Sequence, residues 1–220
     1  MTERQLSLQK MDETQQSLDP MVDLWFPVLG RELPADHGYL AYGALTTRVP
    51  VLHSFRSWGL HTVRGNLLGN GQIRLPRYSR IGIRLPASMI VSVLGLAGSR
   101  LTIGTSKVRL GAPTVEGLLP SPSLSARIVT IKGFTEADEM VGAVQRQMQL
   151  LSIAGSIVIG QRKVLKIRER KVVGFTVSLA VTNDSDSMKI LTHGIGGRRR
   201  FGCGLFRASN QAFSNSESAN

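Results

Sequence analysis

The sequence predicts an α+β protein built as two tandem strand–helix–strand–strand–helix–strand units, with a glycine-rich loop before its last strand. Three observations predict it. Short apolar runs alternate with helix-like segments, and the same order occurs twice. A proline-containing stretch at 112–122 separates the two series. The segment 135–153 carries an apolar stripe of helical period, which anchors the second series.

In the first series, "MVDLWFPVLG" (21–30) is a short apolar run closed by glycine and reads as a strand. "PADHGYLAYGALTT" (34–47) opens with proline and aspartate, a helix-start pattern. Runs 59–67 and 72–85 are strand-like, with a turn at Gly69-Asn70-Gly71. "PASMIVSVLGLAG" (86–98) reads as a short buried helix, and 100–111 as a strand. In the second series, 124–133 is a strand. The helix 135–153 presents Ala137, Met140, Val141, Val144, Met148 and Leu151 on one face. Thr135 is placed to cap it, and Glu136, Asp138 and Glu139 suit its positive end. Strands at about 155–167 and 171–182, a short helix in "SDSMKILTHG" and a strand at 202–209 complete the unit. The expected organisation is a flexible tail at 1–19, one unit at 20–111, a second at 124–209 and a flexible tail at 210–220.

Composition narrows the partners. The 220 residues hold 27 Lys and Arg against 15 Asp and Glu, a net charge of +12. Seven of the acids lie at or before Asp36, and none lies between His37 and Val115, where ten Lys and Arg occur. A solvated surface would mix both signs, so this distribution points to nucleic acid. The single cysteine, Cys203, excludes an internal disulfide and a zinc cage of thiolates. No apolar run reaches membrane-span length, so the chain is expected to be cytoplasmic, with no membrane partner.

The acids offer no carboxylate cluster for Mg²⁺, and no nucleotide-binding glycine loop or serine elbow is present. No metal or other cofactor is predicted. RNA is cut without metal when its 2′-hydroxyl attacks the adjacent phosphate, assisted by a base, an acid and a cation. Histidine suits the first two roles. The chain has four: His37, His53, His61 and His193. The cation is offered by "HGIGGRRRFGCGLF" (193–206), where Arg198, Arg199 and Arg200 sit among glycines. Gly194, Gly196 and Gly197 would bring the backbone close to phosphate, and successive N–H groups there would form an anion nest. A second basic element is "GQRKVLKIRERKVVG" (160–174). Its Arg162, Lys163, Lys166, Arg168 and Arg170 lie across a hairpin, with Lys166, Arg168 and Arg170 on one face. Such a ribbon would track the phosphates of an RNA stem.

The glycine-rich loop resembles that of the CRISPR repeat-processing endoribonucleases of the RAMP superfamily. "VDLWFPVLGRELPADHGYLAYGAL" with "PVLHSFRSWGLHTVRG", "GLAGSRLTIGTSKVRLGAP" and "LLPSPSLSARIVTIKG" are similar to the same segments of its MYXAN-subtype branch, over about 22–208. The resemblance implies two ferredoxin-like folds and a protein that binds repeat stem-loops in precursor CRISPR RNA and cleaves them without metal. It implies ends of the 2′,3′-cyclic phosphate or 3′-phosphate and 5′-hydroxyl kind. The alternative is a non-catalytic repeat-binding subunit within a CRISPR effector complex. The family's essential histidine lies in or just after the first helix, often with a tyrosine nearby. His53 in "VLHSF" matches that position, with Tyr42 preceding it; His37 at the helix start matches next, and His61 is third because strand alternation would bury it.

Overall fold

A computed structural model describes residues 19–209. The expected tails lie outside this range, except for Asp19, whose carboxylate accepts from the backbone N–H and hydroxyl of Ser88. The N-terminal half runs β1 (Met21–Leu29), β2 (Glu32–Pro34), α1 (Gly38–Arg48), α2 (Val51–Ser54), β3 (Gly59–His61), β4 (Asn66–Leu67), β5 (Gln72–Arg74) and β6 (Arg80–Pro86). It continues through α3 (Ile90–Val93), flanked by 3₁₀ turns, to β7 (Arg100–Ile103), β8 (Ser106–Leu110) and β9 (Thr114–Gly117). The C-terminal half runs β10 (Ser123–Val129), α4 (Ala137–Leu150), β11 (Gly155–Ile167), β12 (Arg170–Val181), α5 (Asp184–His193) and β13 (Arg207–Ala208).

Both halves follow the expected strand–helix order, and both have ferredoxin-like topology. The C-terminal sheet has the order β11-β12-β10-β13, antiparallel throughout. The N-terminal sheet has the order β3-β6-β1-β8-β7, with β9 also paired to β1. Alternation along β1 sends Val22, Leu24, Phe26 and Val28 into the core beneath α1, and Asp23 and Trp25 to the opposite face. A second core gathers β10, β12 and the buried face of α4. None of the described helices is long and apolar enough to cross a membrane.

Several details differ from the sequence reading. The run 59–85 divides into four short strands, of which β4 and β5 join β2 in a separate three-stranded sheet; the turn at 69–71 connects β4 to β5. Residues 100–111 form a hairpin, because Gly104 at φ +62 reverses the chain. Part of the 112–122 stretch is strand β9, since β1 has an open edge there to pair with. Thr135 does not cap α4; Glu136 occupies the cap position without a side-chain bond to the helix N–H groups. Val141 is exposed and Ala143 is buried instead. Of 202–209 only Arg207–Ala208 is strand, because Gly202 and Gly204 adopt positive φ.

Candidate active site between the first helix and the glycine-rich loop

The loop does not fold back on its own half alone. Its 3₁₀ turn, Arg199–Phe201, packs on α1 and β3 of the other half. The approach is tight at Gly38, the first residue of α1, where any Cβ would collide with the Phe201 carbonyl oxygen. Phe201 inserts edge-on against Tyr39 and Tyr42, with centroids 5.4 and 4.9 Å away. Tyr42 in turn stacks near Trp58 at 6.0 Å, and the Trp58 indole donates to the Leu52 carbonyl at 2.9 Å. This aromatic cluster fixes α1, α2 and the loop to one another.

Arg200 leaves the loop beside that cluster. Its guanidinium lies 5.5 Å from the Tyr42 ring centroid, and one Nη1–H donates to the His53 carbonyl oxygen at 3.2 Å. His53 itself is exposed on α2. The fold therefore brings Arg200, far along the sequence, over the Tyr42 ring and against the backbone of α2 at His53.

His37 lies elsewhere. It is fully buried at the start of α1. Its Nδ1 donates to the Pro34 carbonyl at 2.7 Å, and its Nε2 accepts the Val63 N–H at 3.0 Å. That pair of bonds fixes the neutral tautomer and occupies the ring lone pair. Burial, together with the charge of Arg127, pushes the imidazole down to about 4, against the pull of the Pro34 carbonyl. His61 is also buried. It contacts Asp23 at 3.0 Å, and burial lowers its affinity for a proton while Asp23 opposes the shift. His193 is exposed at the end of α5; partial burial of its ring, and then the charge of Arg199, lower its affinity for a proton.

The three arginines of the loop diverge. Arg198, in left-handed conformation at φ +62, is exposed and reaches Thr130 at 3.3 Å. Arg199 turns inward to donate to the His193 carbonyl, at the negative end of α5. Only Arg200 faces His53 and Tyr42 among the three. The expected anion nest is absent: the N–H groups of Gly194, Gly196 and Gly197 donate to Ile190, Gln147 and Thr130 at 2.8, 2.7 and 2.9 Å. These glycines serve close packing within the protein; Gly196, at φ +83, sits where a Cβ would press on the Thr130 carbonyl. Cys203 is buried, which pushes its thiol up to about 12, so it is no nucleophile.

The basic hairpin is split as well. A bulge between Ile159 and Arg162 shifts the register. Arg162 then bonds toward the Thr135 carbonyl at 3.4 Å, whereas Lys163 faces the open side of the sheet with Arg127. Arg168 is in the turn at φ +54 rather than in line with Lys166 and Arg170. The backbone N–H of Lys166 reaches Asp36 at 2.5 Å, tying the hairpin to the loop before α1.

Sequence reasoning missed a buried bolt between the halves. Arg84 is 1% exposed and grips Asp23 with two bonds of 2.7 Å. Its Nη1 also donates to the carbonyls of Leu191 and Phe206 at 2.7 and 2.9 Å. It thus holds the end of α5 and the exit of the glycine-rich loop against the first sheet. Burial alone would raise the Asp23 carboxyl, but the bonds from Arg84 and His61 hold it well below the usual carboxylate range. The alternation in "RIGIRL", with Arg80 and Arg84 on the face opposite Ile81 and Ile83, was the available signal.

Comparison with known proteins agrees with this architecture. The sequence model of the family described as Cas6 Crispr matches residues 22–211. The chain is 35% identical over 198 residues to a protein of Myxococcus xanthus named CRISPR-associated endonuclease Cas6, covering 87% of this chain and 83% of that one. A solved Cas6-related protein from Pyrococcus furiosus superposes with a TM-score of 0.62 at 9% identity, covering 87% of this chain and 100% of that one. Thermus thermophilus Cse3, solved bound to an RNA representing a pre-cleavage complex, gives 0.51 at 16% identity, covering 85% and 98%. The family match along nearly all the described residues, with a relative at this identity, shows that the chain belongs to the Cas6 CRISPR family.

Proposed function

We propose that this protein is a metal-independent endoribonuclease that binds repeat stem-loops of precursor CRISPR RNA and cleaves them to release guide RNAs. The observation that carries the reading is the docking of the loop on α1 and α2, which sets Arg200 over the Tyr42 ring and against the His53 backbone carbonyl. The endonuclease name of the M. xanthus relative supports the same activity.

In the reaction, the 2′-oxygen bonds to the adjacent phosphorus while the phosphorus–O5′ bond breaks. The proton of the 2′-hydroxyl passes to a base, and an acid supplies one to the departing O5′. His53, exposed beside Arg200, exchanges one of these protons, and Tyr42 is the nearby group for the other. Arg200 stabilises the added negative charge on the phosphorane-like transition state. His37, with both ring nitrogens bonded inside the protein, serves to hold the start of α1. RNA grip is assigned to Arg198, Lys163, Lys166 and Arg170, whose side chains lie outside the buried bolt.

The test is cleavage of the cognate repeat RNA by the full chain in EDTA. Cleavage at the full rate is expected, with none when the 2′-hydroxyl at the cut is replaced by hydrogen. His53→Ala is expected to slow single-turnover cleavage by roughly 10²–10⁴ with repeat affinity retained. A strict Mg²⁺ requirement, cutting of the deoxy RNA, or a normal rate in His53→Ala would overturn the mechanism. Tight repeat binding with no cleavage by the wild type would select the non-catalytic subunit instead.

A further inference from the structure

Backbone bonds join the 193–206 loop to its own half. The N–H groups of Gly194, Gly197 and Gly204 donate to the carbonyls of Ile190, Thr130 and Ile128 at 2.8, 2.9 and 2.8 Å. Tyr42 and His53 belong to the other half, on α1 and α2. Where Arg200 stands relative to them therefore depends on how the loop is seated across the junction.

Arg84 seats it at the root. One nitrogen of its guanidinium, Nη1, donates to the carbonyls of both Leu191 and Phe206, at 2.7 and 2.9 Å. Leu191 stands two residues before the loop, and Phe206 ends it. A single buried nitrogen thus closes the loop where it begins and where it ends. The other two nitrogens, Nε and Nη2, donate to Asp23 Oδ1 and Oδ2, each at 2.7 Å. A planar guanidinium gripped by two carboxylate bonds has its remaining N–H groups fixed in direction. The contacts of Arg127, Lys166 and Arg200 with Thr62, Asp36 and His53 also cross the junction, but they lie at the surface, where water competes.

The same residue is connected to α2. Arg84 on β6 pairs in register with Gly59 on β3. The bare Gly59 leaves room for the loop exit, since a Cβ there would stand 2.6 Å from a Leu205 methyl carbon. Trp58, one residue earlier, donates its indole N–H to the carbonyl of Leu52, the neighbour of His53. From Arg84 one path runs through two carbonyls to the loop that carries Arg200. The other runs through β3 and Trp58 to the helix that carries His53.

We infer that Arg84 is a positioning residue for the cleavage reaction, which sets Arg200 against Tyr42 and α2 by holding both roots of the loop. At 1% exposure it acts through Arg200 and not on RNA. The inference rests on the reading of the chain as a repeat-RNA endoribonuclease.

The test uses the full chain and its cognate stem-loop repeat. Arg84→Lys keeps a cation beside Asp23 but has no fork to reach the two carbonyls as well. Arg84→Met with Asp23→Leu removes the ion pair as a unit, so that no buried charge is left alone. At saturating RNA both should slow single-turnover cleavage by roughly tenfold to a hundredfold, the effect of about an ångström of misplacement. The dissociation constant should change by less than about twofold, because the loss falls on the reacting state. Adding Arg84→Lys to Arg200→Ala should slow that variant by less than about twofold more, since the group being placed is already gone. Val108→Ala controls for lost stability: Val108 is buried on β8, across β1 from β3 and β6. It should lower the melting temperature and spare the rate.

A second readout does not need cleavage. In a Trp25→Phe background, Trp58 is the one tryptophan of the chain. It is 2% exposed, in a groove lined also by Arg199 and Leu205 of the loop. Its quenching by acrylamide should rise with Arg84→Lys and stay unchanged with Val108→Ala. Equal rate losses in Arg84→Lys and Val108→Ala would overturn the assignment while wild-type cleavage, and with it the endoribonuclease reading, stands. So would a full further loss on top of Arg200→Ala, or unchanged quenching. Failure of both Arg84 variants to fold would make the residue structural only and overturn it too. If the wild type does not cut the repeat, the endoribonuclease reading fails and the assignment with it.

Discussion

Replacing His37 by glutamine separates a buried structural imidazole from a catalytic one through its pH dependence. An imidazole that takes up its proton near 6.5 in the unfolded chain is held near 4 in the folded protein, chiefly by burial. Between those values the unfolded state binds more protons, so stability is complete above about 6.5 and falls as pH drops toward 4. At 1.36 kcal/mol per pH unit, His37 alone removes about 3 kcal/mol from the folded state over that window. Glutamine reaches the Val63 N–H but loses the bond to Pro34, a cost of about 1–3 kcal/mol that does not depend on pH. Urea unfolding of both proteins at pH 7.5 and pH 4 measures the gap between them. Wild type should be the more stable at pH 7.5, and the gap should close or reverse at pH 4. Asp23 and His61 are present in both proteins, so their own titrations cancel in the difference. A gap of the same size at both pH values would refute the reasoning, since it would mean that folded His37 protonates as readily as the unfolded residue.

Arg84→Met should destabilise the chain by about 3–5 kcal/mol, because Asp23 then stays buried without its main cation; a denaturant midpoint within error of wild type would contradict the bolt. Gly38→Ala ought to gain helix propensity of about 0.5–1 kcal/mol, but the collision with the Phe201 carbonyl should displace the loop and reduce the cleavage rate. Single-turnover kinetics at saturating RNA decide that case. Arg200→Ala should lower the same rate by roughly 10² with little change in affinity. Arg198→Ala should spare the rate and flatten the salt slope by about 0.7–0.9, while Arg199→Ala should mainly lower the melting temperature.

The α+β class, the two tandem units and the long helix at 137–150 were legible in the sequence, because strand and helix periods are local properties of side-chain order. The 193–206 run also stood out in the sequence, by glycines and arginines in one short stretch. What the residues of that run do was not legible. Three adjacent arginines look alike in sequence, yet one caps a helix end, one faces a phenol and one faces solvent, because Arg198 and Gly202 turn the backbone through positive φ. Two histidines around the first helix looked like rivals; the partners that lock His37, Pro34 and Val63, are brought to its two nitrogens from opposite sides of the chain. Asp23, Arg84 and the carbonyls of Leu191 and Phe206 span more than 180 residues. Side-chain order along the chain determines which face of a strand a residue takes. Which residue from another strand meets it there depends on packing two sheets together, and only the tertiary structure decides that.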